Sequence, residues 1–175
     1  MPAEEATMNM FRTMLLLLAL GAGQAQAQES LKEDAVLAAL SGFFEALSVE
    51  NYPNPEISTW ISDDFLIFEM GRAFSWADFQ VFLADAGYGT WTSTKWTFSK
   101  ARVSVSGDAA HISYTNTGEF IYPDPSAPER VLIERNIWLE SAYLVSDGGR
   151  LKLKFLQSDN ISREVEPYVE DSAGP

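Results

Sequence analysis

Glu140 stands in the middle of an apolar segment, Arg-Asn-Ile-Trp-Leu-Glu-Ser-Ala-Tyr-Leu over 135–144. A carboxyl enclosed by apolar groups has its charged form disfavoured. Its pKa rises, and near neutrality it can take or give a proton. On the opposite sheet face the same residue is an ordinary strand acid, paired with Arg135 or Lys152. Strand alternation leaves both faces open. Trp138 shares the parity of Glu140 and offers either a stacking wall for a ring-bearing ligand or one more core ring. Tyr114 and Asn116 share a face of an earlier strand. A hydroxyl and an amide on an apolar wall can orient a small molecule, or they form a polar rim. If these faces meet, Glu140 is the base, and Tyr114 or Asn116 steadies an enolate-like oxyanion. Glu69 lies just before Gly71-Arg72 and either meets a ligand at a strand end or pairs with Arg72.

Other chemistries lack their residues. The chain has no cysteine and one histidine, His111, so thiolate sites are excluded and a zinc enzyme is disfavoured. Gly21-Ala22-Gly23 lacks the third glycine of a dinucleotide loop. Asp63-Asp64 stands outside any spaced acidic loop that would hold calcium. The expectation is a protein without a cofactor or metal. A net charge of −13 argues against nucleic acid and against anionic membrane surfaces. At 175 residues, 46% hydrophobic and 13% aromatic, the chain has material for one well-filled core.

The elements that position these residues follow from periodicity and caps. Arg12, the apolar run 14–20 and Ala25-Gln26-Ala27 predict a signal peptide over 1–27. The protein is then secreted or periplasmic, with no stable membrane insertion after cleavage. Ser30 and Glu33 form a capping box for a first helix, with Leu31, Ala35, Ala38, Phe43, Ala46 and Leu47 at helical spacing. A short helical piece over 56–61 precedes a strand over 65–70. Ser75 and Asp78 cap a second helix, stapled by Phe74 and Phe79. Long strands follow over 91–106, 110–122, 131–145 and 151–161. A bulge near Ser99-Lys100 bends the first of these, and a proline-rich excursion over 123–128 separates the second and third. Helices followed by long antiparallel strands make an α+β domain over 28–163, with an acidic tail over 164–175.

Two segments carry a family resemblance. Asp63-Asp64-Phe65-Leu66-Ile67-Phe68-Glu69-Met70-Gly71 runs into Trp76-Ala77-Asp78-Phe79. Trp138-Leu139-Glu140-Ser141-Ala142 is followed by Lys152-Leu153-Lys154-Phe155-Leu156-Gln157-Ser158. With the element order, these resemble the nuclear transport factor 2-like superfamily, in its polyketide-cyclase and ketosteroid-isomerase branches. The resemblance implies a cone: a curved antiparallel sheet packed against N-terminal helices, with a pocket at the wide end. It also implies a homodimer, which Trp91, Trp96 and Tyr143 on exposed strands would serve. Relatives place a histidine near the end of the last strand, where this chain has Gln157, so a potential base is missing. The expected functions are binding of a small apolar or ring-bearing molecule, or dimerisation. The alternative is a cofactor-independent isomerase, cyclase or dehydratase with Glu140 as base. A purely structural domain, its cavity filled by its own side chains, is the third.

Overall fold

The computed structural model describes residues 33–169. The expected leader, the Ser30 cap and residues 170–175 lie outside the described residues. Helix α1 (Glu33–Leu47) carries Glu33 and Asp34 in its first turn, where the helix dipole favours acids. Its buried stripe is Val36, Ala39, Leu40, Phe43, Phe44, Ala46 and Leu47. Ala35 and Ala38, expected inside, are exposed. The stripe turns toward the larger Val36 and Leu40 because they bury more apolar surface. A 3-10 turn (Pro55–Thr59) leads into β1 (Ile61–Glu69).

Met70 and Gly71 both have positive φ (51° and 72°), which a tight hairpin needs. They turn the chain into β2 (Arg72–Ser75), a strand the periodicity did not reveal. Ser75 and Asp78 cap α2 (Trp76–Asp85) reciprocally, and the Phe74 and Phe79 rings stand 5.9 Å apart. Then follow β3 (Ser93–Ser106), β4 (Ala109–Asp124), β5 (Ala127–Asp147) and β6 (Arg150–Pro167).

The strands form one sheet in the order β2-β1-β6-β5-β4-β3. β1 pairs with β6 in parallel, so the sheet is mixed, not antiparallel as expected. The crossover through β2, α2, β3, β4 and β5 returns the chain beside β1 in the same direction. The register of β3 shifts between Ser99 and Arg102, and Lys100 takes φ 55° there. Among the described residues the result is two α-helices against one curved, unclosed six-stranded sheet, an α+β arrangement.

Two boundaries differ from expectation. The excursion at 123–128 is a tight turn at Pro125-Ser126. Pro123 pairs with Val131 and Asp124 with Ala127, while the Asp124 carboxylate accepts from the Ser126 amide at 2.8 Å. Glu164–Pro167 belong to β6 and not to a tail. They pair with 132–135, and Arg135 forms an ion pair with Glu166.

Helices and concave face enclose the core of Phe43, Phe65, Ile67, Phe74, Ile112, Leu144, Leu153 and Leu156. Tyr88 donates its hydroxyl to the Leu47 carbonyl at 2.8 Å, and the Thr94 amide and hydroxyl donate to the Glu50 carboxylate. These bonds fix the end of α1 against β3. The helices thereby cover one face of the sheet and leave the other open.

Candidate functional site

Strand register decides which side chains share the concave face. Glu140 of β5 lies opposite Tyr114 of β4 and Ser158 of β6, and Asn116 lies opposite Trp138. The β5–β6 register shifts at Ile137/Trp138 and again at Tyr143/Leu144, on either side of Glu140. Such bulges re-aim side chains and are frequent beside active sites. Parallel pairing of Phe68 with Gln157 sets the next residues, Glu69 and Ser158, side by side.

Glu140 is 7% exposed. Its Oε2 accepts from Asn116 Nδ2 at 3.2 Å, and its Oε1 accepts from Ser158 Oγ at 3.0 Å. Burial pushes its pKa up to about 7. Tyr114, Ser158 and Asn116 oppose the shift, and the charge of Glu69 adds to it. No cation is among these causes. The Tyr114 hydroxyl stands close enough to Glu140 to lower its pKa, yet outside the alignment of a formed hydrogen bond. Burial first, and Glu140 second, raise Tyr114 well above the ordinary tyrosine value. Glu69 is half-buried and also raised, first by burial and then by Asp159, with Ser158 opposing.

Aromatic rings wall the cluster. Trp96 lies 5.9 Å from Trp138, 5.0 Å from Phe120 and 5.0 Å from Phe44; Phe98 meets Tyr114 edge-on at 5.5 Å. A Cβ at Gly118 would sit 2.7 Å from the Phe120 ring and 2.8 Å from Trp138, so this wall needs glycine beneath it. Among the described residues, the buried side-chain polar atoms without a partner are Trp96 Nε1, the Tyr114 hydroxyl and Asn116 Oδ1. All three residues belong to the concave face of this part of the sheet. Each unmade bond costs about 1–3 kcal/mol, so their grouping calls for an explanation beyond packing.

The structure brings Glu140, Tyr114, Asn116, Trp138 and Glu69 onto one face. It leaves Gln157 out: Gln157 pairs with Ser141 and Phe68 on the convex side. Leu151 and Leu153 suggest that odd positions of β6 point inward, but the irregularity at Lys154 shifts the parity to Leu156 and Ser158. Ser158 is therefore the site residue from this strand, hidden in the sequence by the bulge. Trp96 was also missed as a donor, since its expected place was an exposed strand serving a dimer. Trp91 and Trp96 pack inward, not on an exposed face as expected; Tyr143 is exposed. Glu69 forms no ion pair with Arg72, whose guanidinium lies over the Phe74 ring at 4.4 Å.

A second buried acid occupies the same face of β5. Glu134 accepts from Tyr122 at 2.7 Å, from Asn136 at 2.7 Å and from two nitrogens of Arg163 at 2.9 Å. Burial pushes its pKa up, but Arg163, Asn136 and Tyr122 outweigh it, and the net shift is downward. Elsewhere, a pocket of about 240 Å³ lies between β2 and α2, lined by Arg72, Phe74, Asp78, Val81, Phe82 and Asp85 among others. It shares no residue with the Glu140 cluster.

The curved mixed sheet packed against the two described helices matches the nuclear transport factor 2-like fold. A protein described as a scytalone dehydratase, from Novosphingobium aromaticivorans, superposes with TM-score 0.60 at 14% identity over 86% of this chain and 96% of its own. A type 2 hexachlorocyclohexane dehydrochlorinase gives 0.57 at 12% identity over 81% and 92%. The CaMKII hub of S. rosetta gives 0.56 at 17% identity over 73% and 95%. At these identities the likeness is one of fold. No protein-family model matches the sequence, and no curated protein does.

Proposed function

We propose that the concave face binds a small, largely apolar molecule bearing a carbonyl or similar acceptor, and that Glu140 moves a proton on it without a cofactor. The observation that carries this reading is a buried, cation-free carboxyl with a pKa of about 7, set beside hydrogen-bond donors that have no partner. In the ionised form Glu140 takes a proton from carbon, and the electron pair moves onto the acceptor oxygen. Tyr114 O–H is the donor best placed by register to meet that oxygen, and Trp96 N–H lies on the same face. Return of the proton elsewhere gives isomerisation or cyclisation; loss of a leaving group gives elimination. The named reactions of the dehydratase and the dehydrochlorinase sharing this fold agree with such chemistry. Glu140 is nearly enclosed, so the ligand displaces part of the Phe44–Trp96 wall as it binds. The test is deuterium uptake at the α-carbon of a ring ketone, cyclohexenone, in D2O. E140Q should slow uptake by roughly 10²–10⁴-fold; equal rates with wild type would refute the proton-transfer role.

Self-association through the convex face is a second reading. Leu139 is 51% exposed there, beside Ile137, Tyr143 and the Phe68–Phe155 ring pair. The CaMKII hub sharing the fold supports it. Native mass spectrometry should give a mass above the monomer, reduced to the monomer by L139R. Export by the 1–27 leader belongs to the same proposal. N-terminal sequencing of protein from its own source should begin at Gln28.

A further inference from the structure

We infer that Glu69, Ser158 and Glu140 form a proton relay from the rim of the concave face to its interior. This rests on the proton-transferring role proposed for Glu140, and it adds the route by which that residue is reset. After an elimination, an enclosed carboxyl that has taken a proton must lose it before the next turnover, and Glu140 has little contact with water. Ser158 Oγ donates to Glu140 Oε1 at 3.0 Å. A serine hydroxyl carries a single proton, so while it donates to Glu140 it can only accept from a second neighbour, and when it rotates it donates to that neighbour instead. That neighbour is Glu69, set beside Ser158 by the parallel β1–β6 pairing. Glu69 closes β1 next to the exposed Met70, so it reaches both water and the serine.

The surroundings keep the extra proton in this group. Tyr114 and Asn116 face Glu140 from β4, and Asp159 of β6 faces Glu69. Arg72 of β2 lies opposite Glu69 in register but rests over Phe74. From α1 and β3 come the rings of Phe44, Trp96 and Phe98. Among the described residues no cation neutralises either carboxyl, and two like charges joined by one hydroxyl favour sharing one proton. In the transfer step, the Glu69 carboxyl O–H gives its proton to Ser158 Oγ as Ser158 gives its own to the Glu140 carboxylate. Two O–H bonds break and two form. Glu69 then regains a proton from water, and the reverse sequence discharges Glu140.

The test is a pH titration of the full chain with ¹³C-labelled glutamate carboxyls, in wild type, E69Q, S158A and S158T. In wild type, Glu69 and Glu140 should each show two inflections at shared pH values. In E69Q, Glu140 should titrate in one step, its midpoint lowered as the like charge is lost. In S158A its midpoint should rise and the shared inflections should disappear, while S158T should restore them. A Glu140 that titrates near neutrality with a curve unaltered by E69Q and S158A would overturn the relay and leave the proposed function standing. A Glu140 that titrates with the surface carboxylates would remove both.

Discussion

Glu134 and Glu140 stand on the same strand and the same face, and both are more than nine-tenths buried. Yet their chemistry is opposite. Glu134 receives hydrogen bonds from Tyr122, Asn136 and a two-pronged Arg163, and it stays ionised below the usual range. Glu140 receives two neutral hydrogen bonds and, among the described residues, no cation, and its pKa rises to about 7. Burial acts upward on both, more strongly on Glu140, and the neighbours widen the difference. A satisfied buried carboxylate is a structural clamp. An under-satisfied one, with unpartnered polar atoms around it, is poised for proton transfer.

Four substitutions test this contrast. The largest effect is expected for E140Q. The folded pKa of Glu140 lies above its ordinary 4.5, so the native state binds the extra proton between 4.5 and about 7. Its stabilising contribution is full below 4.5 and lost as pH rises through 7. Replacing the acid should therefore stabilise the fold at pH 8 by ~3 kcal/mol and change little at pH 4.5. Urea melts at both pH values check this. Next is R163A, which strands the Glu134 carboxylate. Its cost should be about 2 kcal/mol at pH 7, below that of a fully enclosed pair because much of Arg163 faces water. Glu134 has a depressed folded pKa, so its contribution is present above the ordinary 4.5 and lost as pH falls through the folded value; the R163A penalty should shrink in acid. Y122F removes a bond to a charged acceptor and should cost about 1.5 kcal/mol in the same melts. Y114F removes a buried hydroxyl that has no aligned partner, and it should cost nothing and stabilise the fold by up to about 1 kcal/mol. A Y114F penalty equal to that of Y122F would contradict the contrast.

Local signals made much of this legible in the sequence. The Ser75–Asp78 cap, the Phe74–Phe79 staple and the alternation of β4 required no tertiary knowledge. The parity shared by Tyr114 with Asn116, and by Trp138 with Glu140, likewise follows from alternation. What alternation lacked was register. It could not show that Glu140 meets Tyr114, nor that Glu134 meets Arg163 across strands far apart in sequence. Bulges hid more: the shift at Lys154 turned Gln157 outward and Ser158 inward. The short β2 was obscured because its pairing depends on the Met70-Gly71 turn and not on a periodic run. The parallel contact of β1 with β6, which places Glu69 beside Ser158, is set by topology alone.

The most direct measurement is the titration of the two β5 carboxyls in one sample, read from the ¹³Cδ shifts of Glu134 and Glu140. Glu140 should change near pH 7 while Glu134 remains ionised to below pH 4.5. If Glu140 instead titrates with the ordinary carboxylates, it is not poised for proton transfer, and the functional reading of the concave face is contradicted.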